Sequence, residues 1–313
     1  MQLDAPSGPL LALIESTLNL FDVRWTLSPM RRIDLACELG AATGLPAAGR
    51  YLQCAQMLVD ALPGGLRATT ARGASLVGRF AAEREQWHLI VPPEIVDHGL
   101  WPEIEDLLSL VLTTGWRRAG WVPLHSAAVT DGERGVLVCA AAGGGKTSFT
   151  LALVRRGWQA LGDDKLLLRT DGDGPEVAAI KHMLNVDPAA TRWFPELGDL
   201  SSLPEYSTWT PKRRVALGRF WPTAPAFTTA PRFMIVLVRR PGTGELSVEE
   251  IDLRESIGAL LRQTVIPADP DVARWITGSL VTLAQRLTAY RVVVGDDAYA
   301  DPSALDKVDR MLH

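Results

Sequence analysis

Two apolar rhythms alternate along this chain, and each change of rhythm marks an element. Gly135 to Cys139 is a short unbroken apolar run, the pattern of a strand buried on both faces. It enters a loop of Ala140-Ala-Ala-Gly-Gly-Gly145, then Lys146-Thr147, and a helical run from Ser148 to Arg156 closed by Gly157 as the C′ residue. Trp158 to Leu161 reads as a second short strand, which delivers Gly162-Asp163-Asp164. Lys165–Arg169 and Val177–Lys181 read as a hairpin turning at Asp171-Gly-Asp-Gly174; its Asp-x-Asp spacing lacks the glycine and distal glutamate of a calcium loop, whose last position is His182. Phe233–Arg239 and Tyr290–Val294 are further strands, and Glu255–Gln263 and Asp271–Leu287 are helices. A last helix runs from an Asp301 cap and Pro302 to Leu312. Residues 182–232, rich in Pro and Trp, read as loop, with a basic run Lys212-Arg213-Arg214 that suits either a solvated face or an anion.

Upstream, Trp101–Arg118 is a helix with Pro102 and acids in its first turn and Arg117-Arg118 in its last. Leu10–Leu20, Arg31–Leu39 and Tyr51–Leu62 carry helix-like apolar spacing, the last two separated by the break at 44–49. Ala74–Phe80 and Trp87–Val91 read as strands, and Ala81–Gln86 fits either state. The expectation is an α/β chain with an N-terminal accessory or acceptor-recognition region over 1–98 and a layered core over 99–313.

Composition narrows the partners. Hydrophobic residues make up 47% and charged residues 22%, and 32 basic against 36 acidic residues give a net charge of −4, so no global basic field points to nucleic acid. No run of about 18 apolar residues predicts a membrane span, and the N-terminus lacks a charged segment followed by an apolar one; a cytoplasmic location is expected. Cys37, Cys54 and Cys139 share no metal-type spacing, and His88 and His98 are too far apart for a helical metal pair.

The chemistry concentrates between His125 and Asp164. A strand, a glycine-rich loop ending Gly143-Gly144-Gly145-Lys146-Thr147-Ser148 and a helix form the context in which backbone amides cradle phosphates, with Lys146 as a mobile cation and Thr147 as a hydroxyl for Mg²⁺. Ala140 stands where the usual pattern has glycine, a penalty only if that position needs positive φ. Asp163 and Asp164 supply the two carboxylates of phosphoryl transfer, one for the metal and one for the acceptor's proton. Residue type alone does not say which does which.

Leu124-His125-Ser-Ala-Ala-Val, the Gly145-Lys146-Thr147 loop and Arg156-Gly157-Trp158 running into Leu161-Gly162-Asp163-Asp164 resemble the core of HPr kinase/phosphorylase-related kinases. The likeness is nearest to the shorter kinases of peptide-modification and exopolysaccharide clusters, lasso-peptide kinases among them, and continues more weakly through Met183-Leu-Asn-Val and Phe194-Pro-Glu-Leu. It implies a P-loop fold shared with phosphoenolpyruvate carboxykinase, ATP and Mg²⁺ as cofactors, Asp163 as general base, Asp164 and Thr147 at the metal, and His125 near the phosphates. Ser148 stands where the bifunctional enzymes carry an acid, and their Pro-Gly-Arg signature is absent after Arg240-Pro241-Gly242, so kinase activity without the reverse phosphorolysis is expected. The resemblance leaves the acceptor open between a serine of a peptide or small protein and a small alcohol such as free serine, and it allows a homo-oligomer. A nucleotide-binding module without turnover is the rival from another class, suggested by Ala140 and Ser148.

Overall fold

The computed structural model describes residues 2–4, 8–18, 32–41, 50–54, 57–97, 101–181, 183–207 and 210–312. The predicted break at 44–49, His98 and His182 lie outside the described residues. The chain forms a mixed α/β protein with several sheets. It divides into two compact units, one of residues 1–121 and 266–274 and one of residues 122–265 and 275–313. The 98/99 boundary expected from sequence falls inside the first.

The first unit carries β1 (Gln2–Asp4), α1 (Pro9–Leu18), β2 (Arg32–Leu39), β3 (Arg50–Cys54), β4 (Met57–Leu62), β5 (Gly65–Thr70), β6 (Ser75–Phe80), β7 (Arg84–Val91), α2 (Pro93–Asp97) and α3 (Trp101–Arg118). Seven strands lie in the order β1-β2-β7-β6-β5-β4-β3. One row of partners, Cys37, Leu89, Leu76, Ala68 and Val59, crosses five strands and is buried throughout. Leu10 and Ile14 of α1 and Ile104, Leu107, Leu108 and Val111 of α3 join the same core. The apolar side of α3 thus ties residues 101–118 to this unit.

Two expectations are overturned here. Arg32–Leu39, Arg50–Cys54 and Met57–Leu62 are strands, not helices. In the first, Leu35 and Cys37 are buried while Ala36 and Glu38 face out, a period of two that the i, i+4 pair Leu35/Leu39 disguises as helical. Pairing on both edges then decides the state, since β2 has β1 on one side and β7 on the other. Ala81–Gln86, left open above, is a turn running into β7.

The second unit contains β8 (Val122–Leu124), β9 (Ala127–Thr130), β10 (Gly135–Cys139), α4 (Lys146–Arg155), β11 (Gln159–Gly162), β12 (Leu166–Arg169), β13 (Glu176–Ala179), β14 (Met183–Val186), β15 (Glu205–Ser207), β16 (Thr210–Ala216), α5 (Leu217–Phe220), β17 (Thr228–Thr229), β18 (Pro231–Arg240), β19 (Leu246–Glu250), α6 (Leu253–Leu261), β20 (Thr288–Gly295) and α8 (Asp306–Leu312); the helix α7 (Pro270–Ala284) precedes β20. Its main sheet has the order β11-β9-β10-β18-β20-β19, with β18 parallel to both β10 and β20. Every residue of β10 is buried, as its unbroken apolar run predicts. The region 182–232, read from sequence as loop, holds a three-stranded sheet, β14-β16-β15, and two short 3₁₀ turns at Pro188–Arg192 and Pro195–Leu197. The C-terminal helix also divides, into a 3₁₀ turn at Pro302–Leu305, where the Asp301 carboxylate accepts from the Ser303 amide, and α8.

Among the described residues no helix is long and apolar enough to cross a membrane. Cys37 and Cys139 are buried free thiols, and burial raises them to about 12 and about 11.

Candidate active site

Parallel strands that end side by side open a crevice at their carboxyl ends. β10, β18 and β20 do so here, and a cavity of about 350 Å³ lies there. It is lined by the glycine-rich loop, by His125 and the two aspartates, and by residues of the 182–232 region, Asn185, Arg192 and Lys212 among them.

The loop has the geometry its glycines predict. Gly143 and Gly145 take φ of 71° and 89°, the left-handed region where a Cβ is strained. Gly144 is excluded from other residues by space instead. A Cβ there would stand 2.9 Å from both the Ala140 methyl and the Ala141 carbonyl oxygen. Ala140 itself is buried, so the methyl that replaces the usual glycine is accommodated by the bare Gly144. Gly145 caps α4 with no side-chain hydrogen bond, so no side chain caps its first-turn N–H groups.

Lys146 is 8% exposed and its Nζ donates to the Ala140 carbonyl at 3.4 Å. Burial pulls its pKa down, against the attraction of Asp164, the Cys139 sulfur and Asp163. Thr147 donates its hydroxyl to Asp163 Oδ2 at 2.5 Å, and the Asn185 amide donates to the same oxygen at 3.2 Å. Asp163 Oδ1 is buried with no hydrogen-bond partner.

The two carboxylates are driven in opposite directions. Burial raises Asp163 and the neighbouring charge of Asp164 raises it further, with the Thr147 and Asn185 bonds opposing. For Asp164 burial also acts upward, but the hydrogen bond and charge of His125, with Lys165 and Lys181, outweigh it and hold the group below the usual carboxylate range. His125 Nδ1 lies 2.9 Å from Asp164 Oδ1. A pair whose pKa values are pushed apart by their surroundings is suited to two different jobs.

His125 is placed by a residue far along the chain. Its backbone N–H donates to the Gln263 carbonyl at 2.6 Å. With its amide turned nitrogen-first, the Gln263 side chain donates to the His125 carbonyl at 2.6 Å and the Ala140 carbonyl at 3.3 Å, joining the histidine to the root of the loop. Gln263 carries no local signal in the sequence. Arg239 and Asp296 carry one, because charged residues at the carboxyl ends of β18 and β20 point toward a crevice; they form a two-pronged pair at 2.6 Å and 2.6 Å, with the Arg239 side chain against Gly145.

No protein-family model and no curated protein sequence matches the chain. Among solved structures it is similar to one described as the Hpr(Ser) kinase/phosphatase from Coxiella burnetii, over 61% of this chain and 97% of that one, at 10% identity and a TM-score of 0.32. A likeness at that level carries no functional weight.

The residues present fit a nucleotide and Mg²⁺ on their own chemistry. Thr147 Oγ1, Asp163 and Asp164 offer hard oxygen ligands, and Mg²⁺ takes few protein ligands because it shares its shell with phosphates and water. Among the described residues no group of three or more His, Cys, Asp or Glu side chains is set to hold a metal.

Proposed function

We propose that this chain is an ATP-dependent kinase of the HPr-kinase-like type that transfers the γ-phosphoryl group to a hydroxyl, most simply a serine of a peptide or small protein. The observation that carries this reading is the Thr147–Asp163 bond, which ties the anion-cradling loop to a buried carboxylate whose second oxygen has no partner. A buried acceptor left unmatched is costly, and a substrate proton would match it.

In this reading the loop amides from Gly143 to Ser148 and the Lys146 ammonium hold the phosphates. Thr147 and Asp164 would hold Mg²⁺, which would supply charge neutralisation at the transferred group. His125 keeps Asp164 ionised and oriented. Asp163, with its raised pKa, takes the proton through Oδ1 while the acceptor's hydroxyl oxygen bonds to the γ-phosphorus and the bond from that phosphorus to ADP breaks. A binding module without turnover has no use for the unmatched oxygen.

The test is Mg²⁺-dependent ATP binding by calorimetry with Lys146→Ala alongside, followed by ADP release with hydroxyl-bearing peptides. The expected result is binding lost in the variant and ADP formed only with an acceptor. Wild-type protein that binds no nucleotide sinks the reading.

A further inference from the structure

On the kinase reading, the loop, Lys146, Thr147 and the two aspartates are committed to nucleotide and metal. The charges left on the cavity wall do not cancel. Of the two acids left there, Asp296 has Arg239, while Asp187 accepts from the Ala189 amide. Three cations, Arg239, Arg192 and Lys212, stand against these two acids, and the last two hold no close ion pair among the described residues.

One is Lys212. Its neighbours in the basic run are spent on structure, Arg213 on Glu205 at 3.1 Å and the Leu203 carbonyl, Arg214 on the Tyr206 carbonyl at 3.1 Å. Lys212 alone of the three lines the cavity, and its ammonium has no ion-pair partner among the described residues. The other is Arg192. Its guanidinium lies 3.8 Å over the Trp193 ring, which fixes its plane, and it comes only within 4.0 Å of Asp296, both of whose oxygens already take Arg239. Tyr299, 3% exposed, lines the same cavity, and its hydroxyl is buried without a partner. A phenol, an oriented guanidinium and an unneutralised ammonium are donors without an acceptor.

We propose that Lys212, Arg192 and Tyr299 form an acceptor subsite for an anionic group, so that the hydroxyl substrate of this kinase carries its own carboxylate or phosphate beside the reacting oxygen. Two sources share that chemistry, a small hydroxy acid and a peptide serine flanked by acidic residues.

The experiment loads the protein with Mg²⁺ and the non-hydrolysable analogue AMP-PNP and titrates two matched pairs of probes. One pair is glycerate against glycerol; the other is a hexapeptide with serine between aspartates against the same peptide with asparagines. The expected result is at least tenfold tighter binding of the anionic member of one pair, which names the source. That preference should collapse in Lys212→Met and Arg192→Met, with AMP-PNP affinity held within about twofold. Equal binding of both members, or a preference that survives both substitutions, overturns the subsite and leaves the kinase reading standing. Substitutions that weaken AMP-PNP and not the probes overturn it too, assigning these cations to the nucleotide. Should AMP-PNP not bind at all, the kinase reading fails by itself. Titration of glycerate and the acidic peptide into unloaded protein then decides: binding of either that is lost in Lys212→Met keeps an anion site here, and no binding of either removes it.

Discussion

Two buried acids, one in each unit, differ in what surrounds them. Glu85 in β7 is fully buried, with the Arg118 guanidinium 2.9 Å away and the Trp87 indole N–H donating at 3.2 Å. Asp163, 4% exposed, has only a hydroxyl and a backbone amide on one oxygen and nothing on the other. The first has a matching cation at ion-pair distance. The second has no cation at ion-pair distance, feels Lys181 and Lys146 only as more distant charges, and sits next to a second carboxylate, an arrangement that folding alone does not favour. The contrast teaches that burial alone does not single out an acid; burial without a cation at ion-pair distance is what sets Asp163 apart from Glu85.

The sharpest way to break that comparison is Asp163→Asn. Loss of the base should lower kcat by about 10²- to 10⁴-fold, measured as ADP release with acceptor present. The same change should raise the melting temperature of nucleotide-free protein by a few degrees at neutral pH, since it removes the unmatched charge. The pH dependence follows from the sign. A carboxyl raised in the folded state above its ordinary 3.8 binds protons more tightly there than in the unfolded chain, so its contribution is full below about 3.8 and is lost as pH rises through the folded value. The stability gap between variant and wild type should therefore open upward from about pH 4 and then level off. A variant no more stable than wild type at neutral pH would equate Asp163 with Glu85.

Gly144→Ala comes next. Its Cβ meets the Ala140 methyl and the Ala141 oxygen, each at 2.9 Å, so the loop must open, and ATP affinity should fall at least about tenfold, about 1.4 kcal/mol. Adding Ala140→Gly should restore only part of it, because the carbonyl contact remains. For the matched acid, Arg118→Met should lower unfolding free energy by about 2 kcal/mol, below the range for fully buried pairs because the arginine is partly exposed, as read by urea denaturation. The smallest effect belongs to Gln263→Ala. Slackening the link between His125 and Ala140 should cost kcat about threefold to tenfold, with the nucleotide dissociation constant nearly unchanged. A large loss of nucleotide affinity there would show that Gln263 shapes the loop rather than the histidine.

Local chemistry was legible in the sequence. The apolar run of β10, the loop with its three glycines, α4 with Gly157 after it and the aspartate pair after β11 are contiguous, and each is set by short-range rules of φ, burial and capping that operate within about thirty residues. The amphipathic α3, with acid at its start and arginines at its end, was legible for the same reason. What tertiary structure alone decided was everything that depends on partners distant in the chain. Arg32–Leu39 became a strand because β1 and β7 supply its hydrogen bonds, a choice that its mixed apolar spacing leaves open. The far wall of the cavity, with Asn185, Arg192, Lys212 and Tyr299, assembles from a small sheet and two 3₁₀ turns, Pro188–Arg192 and Asp296–Ala300, none of which announces itself as a site. The opposite pull on Asp163 and Asp164 is likewise invisible in the adjacent letters Asp-Asp. It arises because a hydroxyl and an amide meet one of them and a histidine meets the other, and only folding brings those groups within 3.2 Å.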